Sequence, residues 1–277
     1  MPSITISRGT KSGGIQLTNM LAERLGYRAL SREVLVESAE KYRIGEEILQ
    51  EELTKPPSLW QRLTHERRRY LIFIKCSLIQ HVARGGVVYH GNAGQVLLEG
   101  IHGVLRVRVE APLPRRIEAE MRLHGLDRDE AAARISRADE RRRRWVKYLY
   151  DRDWDDASLY DLTINLATMS LETACDLICH AVGEPEFQPT TQSHGFLQDA
   201  CLQCAVEAAL ASDSALWKQG LAVRASSGSV AISGEVEGTR QKARLDELVS
   251  QVDGVKQYSL DVGLASEPLP GGRRLSL

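Results

Sequence analysis

The apolar positions of the chain fall into two recurring patterns. Short runs rich in β-branched residues, SITIS at 3–7, VVYHG at 87–91, VLRVRVEA at 104–111 and SLYDLTINL at 158–166, predict strands. Segments with helical spacing lie between them. Ile15, Leu17, Met20, Leu21 and Leu25 mark a first helix that stops at Gly26. A second starts near Ser31, an N-cap with Glu33 behind it. A long helix covers 66–84 and ends at Gly85-Gly86, and PLPRRIEAEMRLHG opens on helix-starting prolines. Another helix runs from about 127 to 150, and a closing one follows Ser170 with Glu172 near its start. The polar stretch 43–65 holds Pro56-Pro57 and predicts a break. Strands alternating with helices predict an α/β domain with a parallel sheet.

The pattern changes after residue 182. GEPEFQPTTQSHG at 183–195 reads as a linker. Residues 196–265 then give an amphipathic helix, two alternating strands around a Ser-Gly turn, another helix and a last strand, which is a small α+β module. The tail 266–277 reads as poorly ordered.

Composition narrows the function classes. With 36 basic and 37 acidic residues in 277, the net charge is −1, which argues against a nucleic-acid partner. No apolar run approaches the roughly 18 residues of a membrane span, and the N-terminus lacks the apolar stretch of a secretory leader, so the reading is cytosolic. The five cysteines are odd in number. Cys201-x-x-Cys204 lies in a helical pattern with no second pair at zinc-site spacing, and the reading is buried helix cysteines.

The stretch most suggestive of chemistry is the first turn. Gly9 and Gly14 have the G-x-x-x-x-G spacing of a phosphate-binding loop, between a strand and a helix. A merely tight strand–helix turn is the alternative. The usual G-K-[ST] ending is missing, because Ile15 and Gln16 follow Gly14. Arg8, Thr10, Lys11 and Ser12 lie in or beside the loop as substitutes, with Gly13 before its last glycine.

ITISR-x-x-x-SGG, LAERLGY, GVVYHGNAG, VRVEAPLPRRIE, ISRADERRRR and, above all, YDRDWDDASLYDLTINLATMSLETACDLI resemble the cytidylate-kinase-like family over residues 3–182. The resemblance implies the P-loop kinase fold, a three-layer α/β/α arrangement around a parallel sheet. It implies γ-phosphoryl transfer from ATP, with Mg²⁺, to a nucleoside monophosphate, with CMP or dCMP as the default. Such chemistry rests on positioning and charge neutralisation. Arg137, Asp139 and Arg142 match the family's lid segment, and Arg116 matches a position near the acceptor. Asn92 stands where the family commonly has an acceptor-holding arginine. Lys11, with lid residues Arg137 and Arg142, is the expected catalytic set. Arg8 and Gly9–Gly14 are expected at ATP, and Asn92, Arg116 and Asp139 at the acceptor. Asp151, Asp153, Asp155 and Asp156 read as turn organisers rather than metal ligands.

Val223, the Gly228–Gly234 hairpin and Val252–Val255 resemble a BON domain, implying a small-ligand, lipid or protein partner. Ile15 and Asn92 both depart from the kinase pattern. A nucleotide-binding regulatory protein without phosphoryl transfer is therefore the rival reading.

Overall fold

The structure, a computed structural model, describes residues 1–31, 64–91 and 93–264. The helix expected from about Ser31 and most of the break expected at 43–65 lie outside these residues. So does Asn92.

Five parallel strands form the main sheet: β1 (Ser3–Arg8), β2 (Arg28–Leu30), β3 (Val87–His90), β4 (Val104–Glu110) and β5 (Leu162–Asn165), in the order β2-β3-β1-β4-β5. β1 is central, with Ile4 opposite Val88 on one side and Leu105 on the other. Its residues Ser3–Ser7 are all buried, as expected of a strand covered on both faces. The crossovers are helices, among them α1 (Gly14–Leu25), which follows β1 directly. α2 (Thr64–Ala83) precedes β3, and the short α3 (Gly94–Leu97) follows it. α4 (Leu113–His124) and α5 (Arg128–Tyr150) lie between β4 and β5, and α6 (Leu171–Gly183) closes the unit. Leu17 and Leu21 of α1 pack with Ala174, Cys175 and Ile178 of α6 against Ile4, Ile6, Val107 and Ile164 of the sheet.

The caps follow the sequence closely. Asp127 and Glu130 form a reciprocal capping box at α5, and Ser170 accepts from Thr173 N–H at 3.1 Å to start α6. The strand expected at 158–166 is shorter. Asp156 accepts from Ser158 N–H and caps a 3₁₀ turn at Ala157–Leu159, so β5 begins only at Leu162.

The segment 183–195, where the sequence predicts a linker, contains a 3₁₀ turn at Pro185–Phe187 and the start of α7 (Thr191–Ser212). Thr190 and Ser193 each donate a backbone N–H to the other's side-chain oxygen, at 2.8 and 3.0 Å. This reciprocal cap starts the helix ahead of Gly195 despite glycine's poor helix propensity.

The described residues divide into two compact units: those within 1–64 and 77–197, and those within 65–76 and 198–264. Besides residues 65–76 of α2 and 198–212 of α7, the second unit contains β6 (Ala222–Ser226), β7 (Ser229–Val236), α8 (Thr239–Ser250) and β8 (Gln257–Leu264). Its sheet runs β6-β7-β8, with β6 antiparallel and β8 parallel to β7. The hairpin turns at Ser227 and Gly228, with φ of 51° and 81°. Positive φ at both central residues is the type I′ geometry that fits strand twist. Leu202, Val206, Val230, Ile232, Leu245 and Val249 form its core.

Among the described residues, no helix is long and apolar enough to cross a membrane.

Candidate phosphate-binding site

The loop after β1 sits at the carboxyl ends of the parallel strands, where open α/β sheets bind ligands. Lys11 has φ 61° and Gly13 φ 93°, so left-handed residues alternate along the loop. That alternation turns successive N–H groups to one side as an anion-binding nest. The N–H groups of Lys11, Gly13, Gly14, Ile15 and Gln16 have no acceptor among the described residues. They include the first donors of α1, where the helix dipole also favours an anion.

Two glycines have a packing reason. A Cβ on Gly14 would stand 2.6 Å from Arg8 Cδ, and one on Gly9 would stand 3.1 Å from Arg116 Cζ. Arg8 therefore lies under the loop and the Arg116 guanidinium lies against it. Arg116 Nε donates to Thr10 O at 2.7 Å, and its fork pairs with Asp139. Asp139 accepts from Thr10 N–H at 3.0 Å, from Thr10 Oγ1 at 2.8 Å and from Arg142 Nη1 at 3.0 Å. Burial works against ionisation of Asp139. The hydrogen bonds from Arg116 and Thr10 outweigh it and hold the carboxyl below its ordinary pKa. Burial, then the nearby Arg142 charge, lowers Arg8 to about 10, with Asp139 opposing. Arg142 is also lowered by its own burial.

A cleft of about 730 Å³ opens over the loop. Arg8, Lys11, Arg115, Arg122, Arg134, Arg141 and Arg142 contribute cationic groups to its lining, and Glu120 is the one acid there among the described residues. Glu120 is 1 % exposed. It pairs with Arg134 Nε at 2.8 Å, His124 Nε2 at 3.5 Å and Lys11 Nζ at 3.5 Å.

The expected residues thus meet unequally. Arg8, Thr10, Lys11, Ser12, Gly13, Gly14 and Arg142 line the cleft, and Gly9, Arg116 and Asp139 support the loop. Arg137 is exposed and off the cleft wall. It lies outside the α5 stripe of Arg134, Ala138, Arg141 and Arg142 that faces the loop. Glu120 and Arg134 are not picked out by motif, while Arg141 lies in the ISRADERRRR run. One signal for Glu120 was available: it follows Ile117 by three residues on an amphipathic helix, a charged residue at a core-face position.

The YDRDW block builds a support beneath this site. Trp154 is 3 % exposed and donates to Ser7 Oγ at 2.9 Å. Tyr160 OH donates to Trp154 O at 2.8 Å. The guanidiniums of Arg108 and Arg142 lie 4.8 and 5.3 Å from the Trp154 ring centroid. Each of the four aspartates has a structural partner. Asp155 takes Arg108 and Arg143, Asp153 and Asp156 accept turn N–H groups, and Asp151 pairs with Lys147.

The model of the cytidylate kinase-like family matches residues 3–168, more than half of the chain. The chain belongs to the cytidylate kinase-like family. Within curated proteins it is similar to a cytidylate kinase from Methanocaldococcus jannaschii, 27% identical over 106 residues, which are 38% of this chain and 60% of that protein. It is also similar to a uronate isomerase from Corynebacterium glutamicum, 32% identical over 101 residues, 36% of this chain and 19% of that protein. The chain thus spans about a fifth and three fifths of the length of these relatives. An uncharacterized protein from Eubacterium ventriosum has the same fold, with a TM-score of 0.52 and 19% identity over 66% of this chain and 98% of that one. The parallel sheet, the glycine loop after β1 and the arginine-bearing α5 all fall within the family match.

The residues present fit the family's two expected groups differently. The nest of open N–H groups suits nucleotide phosphates. The loop offers Mg²⁺ hydroxyl lone pairs, because its hydroxyls only donate, but among the described residues no free carboxylate. Thr10 Oγ1 is bound to Asp139, Ser12 Oγ to Val109 O and Thr18 Oγ1 to Gly14 O. Asp139 and Glu120 are each held by cations.

Proposed function

We propose that the first unit is a nucleoside monophosphate kinase that transfers the γ-phosphoryl of ATP to a monophosphate, with CMP or dCMP as the default acceptor. The observation that carries this reading is the nest of open N–H groups at the base of an arginine-lined cleft. The loop amides orient the phosphate chain, and Arg142, held at α5 by Asp139, neutralises charge beside it. Lys11 supplies a further cation once it leaves Glu120. Mg²⁺ would enter with the nucleotide phosphates. Calorimetry with ATP, followed by a transfer assay over CMP, dCMP, UMP and AMP, tests the proposal. Failure to bind ATP sinks it.

Two observations favour a second reading, a nucleotide-binding regulator with little transfer. The loop lysine is engaged by a buried carboxylate, and the carboxylates nearest the loop, Asp139 and Glu120, are already held by cations. ATP binding without turnover on any acceptor would select it. For the second unit we retain the BON-like reading as a ligand- or partner-binding module, supported by its Ser227-Gly228 hairpin and the helix between β7 and β8.

A further inference from the structure

The second unit holds a cavity of about 440 Å³ that shares no residue with the phosphate cleft. Its size is within the roughly 300–1,000 Å³ of small-molecule sites. Ile72 of α2, Leu210 of α7, Leu216 and Leu221 of the following loop, and Val223 of β6 provide apolar walls. Two cations stand at the same cavity. The Arg69 guanidinium lies 5.6 Å from the centroid of the Trp217 ring, and the Lys218 ammonium lies 5.0 Å from it. Among the described residues neither has an acidic partner.

The acid in the wall does not balance them. Glu207 accepts from Gln203 Nε2 at 2.8 Å and faces Lys75 at 3.9 Å. Arg69 Nε is buried with no acceptor. An indole face attracts a cation but does not neutralise it. Two positive charges at one ring repel, and apolar surroundings strengthen that repulsion. An anion seated at the cavity relieves it, and the apolar walls then cover whatever that anion is attached to. We propose that this cavity binds a small amphipathic anion, with its charged head between Arg69 and Lys218 and an apolar body against Leu210, Leu216 and Val223.

The test uses the full chain and calorimetry with decanoate, decan-1-ol and inorganic phosphate. Decanoate is expected to bind saturably at one per chain. Decan-1-ol has the body without the charge, and phosphate has charge without the body. Each is expected to bind at least tenfold more weakly. Arg69→Met and Lys218→Met each lower decanoate affinity at least about fivefold with the thermal midpoint unchanged. Lys218 is exposed, so its variant remains informative if Arg69→Met folds poorly. Decan-1-ol binding as tightly as decanoate would reduce the site to an apolar hole. Phosphate binding as tightly would make it a plain anion site. Unchanged decanoate affinity in Lys218→Met would remove the charge pair from the argument. Any of these results overturns the proposal.

Discussion

The carboxylate of Asp139 holds Thr10 twice, through the backbone N–H and through the hydroxyl, although the two residues are 129 positions apart. Through this contact α5, which carries the cleft arginines, grips the middle of the phosphate loop. Loop shape and arginine placement are therefore one property, not two. Loss of the Asp139 carboxylate releases Thr10, Arg142 and Arg116 together.

Asp139→Asn tests that coupling. An amide still accepts from Thr10 but leaves Arg116 and Arg142 without their buried counter-charge, at a cost of roughly 3 kcal/mol. The pH dependence has a definite sign. The native carboxyl titrates below its ordinary 3.8, so the unfolded chain binds the proton more readily. The stabilisation is complete above the unfolded value and is lost as pH falls through the lower, native one. Urea titrations across acid pH should show a shallower loss of stability in Asp139→Asn than in the parent. Parallel curves would mean that Asp139 does not carry the acid-side slope.

The loop glycines give a second prediction. Gly13 has φ 93°, and a Cβ there would stand 2.9 Å from Leu166 Cδ1. Gly13→Val therefore adds left-handed strain, about 1–2 kcal/mol, to a steric conflict. It also tilts the N–H groups that form the nest. ATP affinity should fall at least about tenfold and the thermal midpoint should drop by several degrees, both read from one thermal-shift titration. Unchanged ATP affinity would move the phosphate site away from this loop.

Much of this was legible in the sequence. β-branched runs and capping residues located β1, β3, β4, α5 and α6, because local chemistry decides those boundaries. The glycine loop was visible from its flanking strand and helix. What stayed hidden was long-range. Nothing local says that Asp139 points at Thr10 and not at a ligand, or that Lys11 lies on Glu120. Arg137 and Arg142 look alike in RRRR-rich sequence, and only the orientation of α5 separates an exposed side chain from one on the cleft. The start of α7 was missed because Pro, Thr and Gly suggested a linker, while the Thr190–Ser193 cap decided for helix.

Truncation separates the two units. The cleft residues lie between Arg8 and Leu171, so a chain ending at Gly183 should keep its ATP affinity. It should not keep its solubility. Residues 65–76 of α2 cluster with the second unit, where Cys76 Sγ donates to Cys204 O at 2.9 Å and Phe73 is fully buried. Removing residues after 183 strips partners from that face. Sedimentation should show self-association of the truncated chain at concentrations where the full chain is monodisperse. A monodisperse product would show that 65–76 finds cover elsewhere.

The last prediction concerns Lys11 and Glu120. Glu120 is buried and is the one acid among the described residues of a cleft that otherwise gathers cations, and it pairs with Lys11 at 3.5 Å. Lys11→Met should slow any phosphoryl transfer by at least about tenfold, or about 1.4 kcal/mol of barrier. Glu120→Gln removes the competing charge and should tighten ATP binding about threefold or more. If the gain comes from releasing Lys11, the double variant should lose it, because the two changes then act through one contact. A gain that persists in the double variant would assign it to Arg134 instead. Ile15 is 45 % exposed at the start of α1, so Ile15→Lys should fold normally and place an ammonium beside the nest. If the scaffold supports transfer, that variant raises turnover on CMP. If the parent chain turns over no acceptor and Ile15→Lys gains nothing while ATP still binds, the scaffold does not support transfer. The regulatory reading then replaces the kinase.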